Sequence, residues 1–228
     1  MSTTLDSKPL SCIEINPKQT PCYLVIWLHG LGADSSDFVP IIDYLKLSPG
    51  HAIRFVFPSA PYRNITINQG MRMRGWYDIA KLDLNFSEDE AGFIESDNLL
   101  KNLIDAEIAA GIKSENIMLI GFSQGGALAL FTGLRYHKPL GGIVGLSTYL
   151  PLQKKIEQER VPFNQNTPIM LAHGVYDPVV PYALGHTSYE WLKKMNYTVN
   201  WHTYDMQHSV SNEEIEHIAA FIKNTFLV

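Results

Sequence analysis

Cysteine is nearly absent from this chain: the two in 228 residues, Cys12 and Cys22, are too few for a disulfide framework and have no His or Asp at metal-ligand spacing. Both are expected to be free thiols, with a Cys12–Cys22 bridge as the alternative. Positive charge is also in short supply. Eighteen Lys and Arg against 23 Asp and Glu give a formal charge of −5, and no basic cluster concentrates what there is. That argues against nucleic acid as a partner. The longest apolar run, residues 22–28, falls far short of the roughly 20 residues that span a bilayer. The opening Met1-Ser2-Thr3-Thr4-Leu5-Asp6 lacks the charged start and apolar stretch of a secretory leader. A cytoplasmic protein is therefore expected, with at most transient contact to a membrane surface. Repeats and low-complexity tracts are missing too.

What is present is an ordinary globular balance, 46% hydrophobic and 18% charged. It suits one α/β domain over residues 1–228, with disorder expected only near residues 1–8. Runs of branched and aromatic residues at 23–28, 53–57, 117–120, 142–146, 168–172 and 198–204 read as strands. Their continuous apolar character fits strands buried on both faces of a mostly parallel sheet. Helical patterns fall between them, at 38–47, 88–110, 124–137, 182–195 and 212–226, and Ser211 with Glu214 forms a capping box for the last. Strand and helix alternating throughout predicts a doubly wound sheet, whose ligands bind at the carboxyl ends of the strands.

At one such end the chain reads Gly121-Phe122-Ser123-Gln124-Gly125, a strand running into a serine and then at once into a helix. This is the pattern of a nucleophile elbow. Small residues two before and two after the serine avoid clashes in the tight turn, and the helix N-terminus points its free N–H groups at charge developing beside the hydroxyl. A serine hydroxyl attacks a carbonyl only with a histidine to take its proton and an acid to hold that histidine. Of the eight histidines, His51 precedes a strand, His202 lies inside one, and His137, His186 and His217 belong to helices. His29 suits bracing the loop after the first strand, and His173 begins the turn containing Asp177. His208 remains, in the loop between the last strand and last helix. Asp177 follows the preceding strand, and the order Ser123, Asp177, His208 is that of α/β-hydrolases. Asp205, three residues from His208, is the rival acid. Two backbone N–H groups should receive the oxyanion, and Gln124 and Leu31 occupy the expected places, with Gly30 and Gly32 letting the backbone approach a substrate.

Taken together, these residues resemble the small carboxylesterase and acyl-protein thioesterase family, with its lysophospholipase-like members, within the α/β-hydrolases. The resemblance runs from Leu28-His29-Gly30-Leu31-Gly32-Ala33-Asp34 through Phe57-Pro58-Ser59-Ala60-Pro61, Arg74-Gly75-Trp76-Tyr77-Asp78 and the elbow to Leu146-Ser147-Thr148-Tyr149-Leu150-Pro151, Asp177-Pro178-Val179 and His208-Ser209. Ser35 and Asn64 depart from the pattern, where glycine and proline are usual. The resemblance implies an α/β-hydrolase fold without a large cap, Ser123 as nucleophile with Asp177 and His208, and Leu31 and Gln124 as oxyanion donors. It implies hydrolysis of acyl esters or thioesters through an acyl-enzyme, with no metal or organic cofactor. The substrate would be an S-acylated protein, a small ester or a lysophospholipid, and a homodimer stays open. The apolar stretch 62–87 reads as a lid-like loop or as a small hairpin packed on the core. By similarity, Met71, Met73, Trp76, Ile79 and Leu82 would line an acyl groove. Two rivals are a silent hydrolase fold used for binding, against which the complete triad speaks, and a peptidase, for which no peptide pocket is evident.

Overall fold

The computed structural model describes residues 9–81 and 88–227. In chain order the elements are β1 (Cys12–Ile15), β2 (Tyr23–Leu28), α1 (Ile41–Leu45), β3 (Ile53–Pro58), β4 (Tyr62–Ile65), β5 (Met71–Arg74), α2 (Glu90–Ala109), β6 (Ile117–Phe122), α3 (Gln124–Gly133), β7 (Gly142–Leu146), α4 (Gln153–Glu159), β8 (Ile169–Gly174), α5 (Tyr182–Lys194), β9 (Val199–Tyr204) and α6 (Asn212–Phe226). Seven strands form one sheet in the order β1-β3-β2-β6-β7-β8-β9. Only β1 runs antiparallel to its neighbour; every other pair is parallel. This is an α/β-hydrolase fold.

Side chains alternate across the pleat and so feed two cores. Leu24, Ile26 and Leu28 of β2 point into one, with Phe93 and Leu100 of α2, Phe131 of α3 and Leu192 of α5. Val25 and Trp27 point into the other, with Ile41 and Leu45 of α1 and Ile218 and Ile222 of α6. Helices therefore cover both faces, as parallel strands require. The parallel run puts the carboxyl ends of β2, β6, β8 and β9 on one edge. The capping box of α6 is present: Ser211 Oγ accepts from the Glu214 N–H at 3.1 Å, and Glu214 reaches back to the Ser211 N–H.

Several expected boundaries move. The helix expected at 38–47 shortens to α1, stopped by Lys46 in the left-handed region at φ 49°. The one expected to reach residue 137 ends at Gly133, beyond which Arg135 pairs with Asp97 and Glu159. Helix α4 has no counterpart in the sequence reading, because in Gln153–Glu159 only Ile156 is buried. Of the stretch 62–87, the described part holds an antiparallel hairpin of β4 and β5, separate from the main sheet.

Candidate active site

The turn after β6 puts Ser123 at φ 55° and ψ −120°, a backbone conformation that costs a non-glycine residue ~1–3 kcal/mol and persists only where its surroundings enforce it. The enforcement is visible in the neighbours. A Cβ on Gly121 would lie 2.2 Å from the Gly125 backbone, and one on Gly125 would lie 2.5 Å from the Leu28 carbonyl oxygen. The Ser123 N–H donates to the Leu146 carbonyl at 2.8 Å, while the Thr148 hydroxyl donates to the Ser123 carbonyl at 2.7 Å. The end of β7 and the loop after it thus grip the elbow at both peptide groups of the serine.

From this turn the Ser123 Oγ sits 3.0 Å from His208 Nε2, and His208 Nδ1 sits 2.7 Å from Asp177 Oδ2. The other carboxylate oxygen accepts from the Val179 and Val180 N–H groups at 2.8 and 2.9 Å. Burial pushes the Asp177 carboxyl up, but the hydrogen bond and charge of His208, with the Val180 and Val179 amides, hold it below its usual range. An ionised Asp177 accepts the Nδ1 proton and leaves Nε2 free to accept from the serine hydroxyl. Phe122 backs the His208 ring at 4.7 Å. The rival Asp205 is exposed at the end of β9.

Two further histidines brace this arrangement. His173 Nε2–H donates to the Val180 carbonyl at 2.8 Å and lies 3.6 Å from Asp177 Oδ2. Burial lowers its pKa, keeping it neutral. His29 Nε2 accepts the Ala60 N–H at 3.0 Å, so its Nδ1–H donates to the Gly30 carbonyl at 2.7 Å. Burial lowers its pKa as well. His202 and His217 stack on each other at 4.4 Å, between β9 and α6.

The two expected oxyanion donors flank the serine: Gln124 opens α3, and Leu31 follows β2. Among the described residues, neither N–H has a protein acceptor. The groove residues divide. Met71 is exposed on the hairpin, and Met73 is half-buried, its sulfur 3.7 Å from where a Cβ on Gly32 of the Leu31 loop would lie. Trp76 and Ile79 belong instead to the core, at 0% and 6% exposure. The expectation that they line a groove is corrected, because both side chains are taken up by the core, Trp76 with its ring 5.3 Å from that of His29. Leu82 lies outside the described residues. A cavity of ≈ 620 Å³ bounded by Glu88, Tyr149, Leu152, Leu184 and Ser188 is not lined by any triad residue. Among the described residues no group of three or more His, Cys, Asp or Glu could hold a metal ion. Thr148 and His173 escaped the sequence reading as site residues, since a buried polar bond leaves no periodic signal.

A family model described as Phospholipase/Carboxylesterase matches residues 11–226. Acyl-protein thioesterase 1 of Mycosarcoma maydis is 40% identical over 94% of this chain and 96% of its own. The crystal structure of Arabidopsis thaliana SOBER1 superposes with a TM-score of 0.85 at 34% identity, over 89% of this chain and 98% of that one. That of Zea mays acyl-protein thioesterase 2 gives 0.84 at 27%, over 95% and 99%.

Proposed function

Because the chain belongs to the phospholipase/carboxylesterase family of α/β-hydrolases, and is an ester or thioester hydrolase, we propose that Ser123, His208 and Asp177 are its catalytic residues. We take S-acylated protein as the substrate. The observation that carries the assignment is the unbroken chain from Ser123 Oγ to His208 Nε2 at 3.0 Å and from His208 Nδ1 to Asp177 Oδ2 at 2.7 Å.

In this reading His208 Nε2 takes the proton as Ser123 Oγ attacks the acyl carbon. The tetrahedral oxyanion forms beside the Gln124 and Leu31 N–H groups, and each such donor contributes ~3–4 kcal/mol to the barrier reduction. The imidazolium, steadied by Asp177, protonates the departing thiolate or alkoxide. Water then enters on the same base and releases the acid, restoring Ser123. The thioester preference is supported by the names of similar proteins and by the site's form. Ser123 stands at the carboxyl edge of the sheet with no large cap among the described residues, so the leaving group can be a whole protein. Met73 beside the Leu31 loop, with Met71 further out on the hairpin, offers the acyl chain apolar and adaptable contact. A lysophospholipid is less favoured, as the named relatives are thioesterases and carboxylesterases.

A fluorophosphonate probe should label the wild type and not Ser123→Ala, with far-ultraviolet circular dichroism unchanged between the two. Labelling of the variant at the wild-type rate would remove Ser123 from the mechanism. Turnover of an S-acylated peptide, an acyl-CoA, a p-nitrophenyl ester and a lysophospholipid then ranks the leaving groups. The proposal requires the S-acylated peptide to lead.

A further inference from the structure

Gln124 is 2% exposed, unusual for a glutamine in a first helical turn, where solvent normally takes the side chain. Its amide is spent on one short segment. Oε1 accepts the Trp76 N–H at 2.8 Å and Nε2 donates to the Tyr77 carbonyl at 2.6 Å. That segment in turn holds the other side of the site. The Trp76 indole N–H donates to the His29 carbonyl at 2.9 Å, and the Gly32 N–H donates to the Arg74 carbonyl at 2.9 Å. The peptide before Gly30-Leu31 is therefore tied to Trp76, which the Gln124 side chain grips, and the peptide after it to Arg74, two residues earlier in the same segment. Gly75 fills the gap between them: a Cβ there would stand 3.2 Å from Leu31 Cδ1 and 3.5 Å from Gln124 Oε1.

We propose that the Gln124 side chain is a positioning residue, setting the distance between the two oxyanion donors through the Trp76–His29 connection. This rests on the active-site reading above and deepens it. The backbone N–H of Gln124 is one donor, and its own side chain fixes where the second stands. A tetrahedral oxyanion needs both donors within 2.7–3.1 Å. A neutral ground-state carbonyl tolerates a looser fit, so loss of the tie should act on the transition state alone.

The test uses two variants. Gln124→Met fills similar volume without hydrogen bonds and keeps the backbone donor; Trp76→Phe removes the indole donor to His29 together with part of the buried ring, so its unfolding midpoint is recorded beside its kinetics. On p-nitrophenyl acetate, Gln124→Met should lose about 10- to 100-fold in kcat, a part of what deletion of a whole donor costs, with KM nearly unchanged. Affinity for a trifluoromethyl ketone, which closes on the serine as an anionic adduct, should fall by the same factor as kcat/KM. A merely structural role would not link those two quantities. Trp76→Phe should move both in the same direction by a smaller factor, and the double variant should lose less than the product of the single losses, because both cut one connection. The inference is overturned if Gln124→Met keeps wild-type kcat, if its loss lies in KM, or if ketone affinity stays while kcat falls. If that variant does not fold, Trp76→Phe decides, and wild-type kcat in it overturns the proposal. Wild-type protein that takes no fluorophosphonate on Ser123 would instead overturn the active-site reading itself.

Discussion

Asp177 shows how much a single residue's setting determines. Its carboxylate receives two backbone N–H groups on one oxygen and His208 on the other, so it can act only as an acceptor. Asp177→Asn would present an amide N–H to the imidazole in some orientation, forcing the wrong tautomer while conserving shape. A loss of about 10⁴-fold in kcat is expected with the fold intact, read from steady-state turnover beside circular dichroism. A loss under tenfold would mean that another acid serves His208. The sequence placed Ser123, Asp177 and His208 because each follows a strand, and strand order alone gathers those positions at one edge. It could not reveal that Gln124 spends its side chain on Trp76 and Tyr77, or that Thr148 holds the Ser123 carbonyl. Such bonds join residues far apart in the chain and repeat with no period.

Among the elements, α6 carries a built-in cost. Glu214 caps its first turn yet is 0% exposed, and among the described residues its Oε1 has no hydrogen-bond partner. Burial, opposed only by the Ser211 amide, pushes its pKa from 4.5 up to about 8. The folded state therefore holds a proton that the unfolded chain releases, and stability should decline as pH rises from about 4.5 through about 8. Glu214→Gln keeps the cap without the charge. Its unfolding midpoint should match wild type near the low end of that window and exceed it by several degrees at the high end. Parallel pH profiles of the two midpoints would dismiss the idea. The hairpin makes a different prediction. A filled apolar contact gives about 0.8 kcal/mol per substrate methylene, or three- to fourfold in kcat/KM. Met73→Ala should flatten the rise from p-nitrophenyl acetate to octanoate and leave acetate nearly unchanged. Equal losses on both esters would show that Met73 does not touch the chain. The sequence left hairpin and lid unseparated and aimed Trp76 at a ligand, since spacing along a loop does not say which way a side chain turns. Helix α4 was illegible for a simpler reason: one buried residue, Ile156, makes no pattern.

At the scale of the whole molecule, the inner strands β2, β3, β6, β7 and β8 were the most readable part, because strands buried on both faces are apolar throughout, whereas the half-exposed edge strand β1 went unread. The sheet supplies the elbow and the loops that bear Leu31, Asp177 and His208, whereas β4 and β5 form a sheet of their own. On the proposed reading, the chemistry is built into the frame and the acyl contact is carried on an attachment. Grafting should exploit that division. A foreign hairpin exchanged for residues 62–73 should replace the surface proposed to meet the acyl chain and leave the elbow untouched. A cut placed four residues later would also import new partners for Gln124 and His29, and the chimera would change its rate along with its selectivity. The seam between a transferable module and the fixed machine therefore falls between Met73 and Arg74, inside β5.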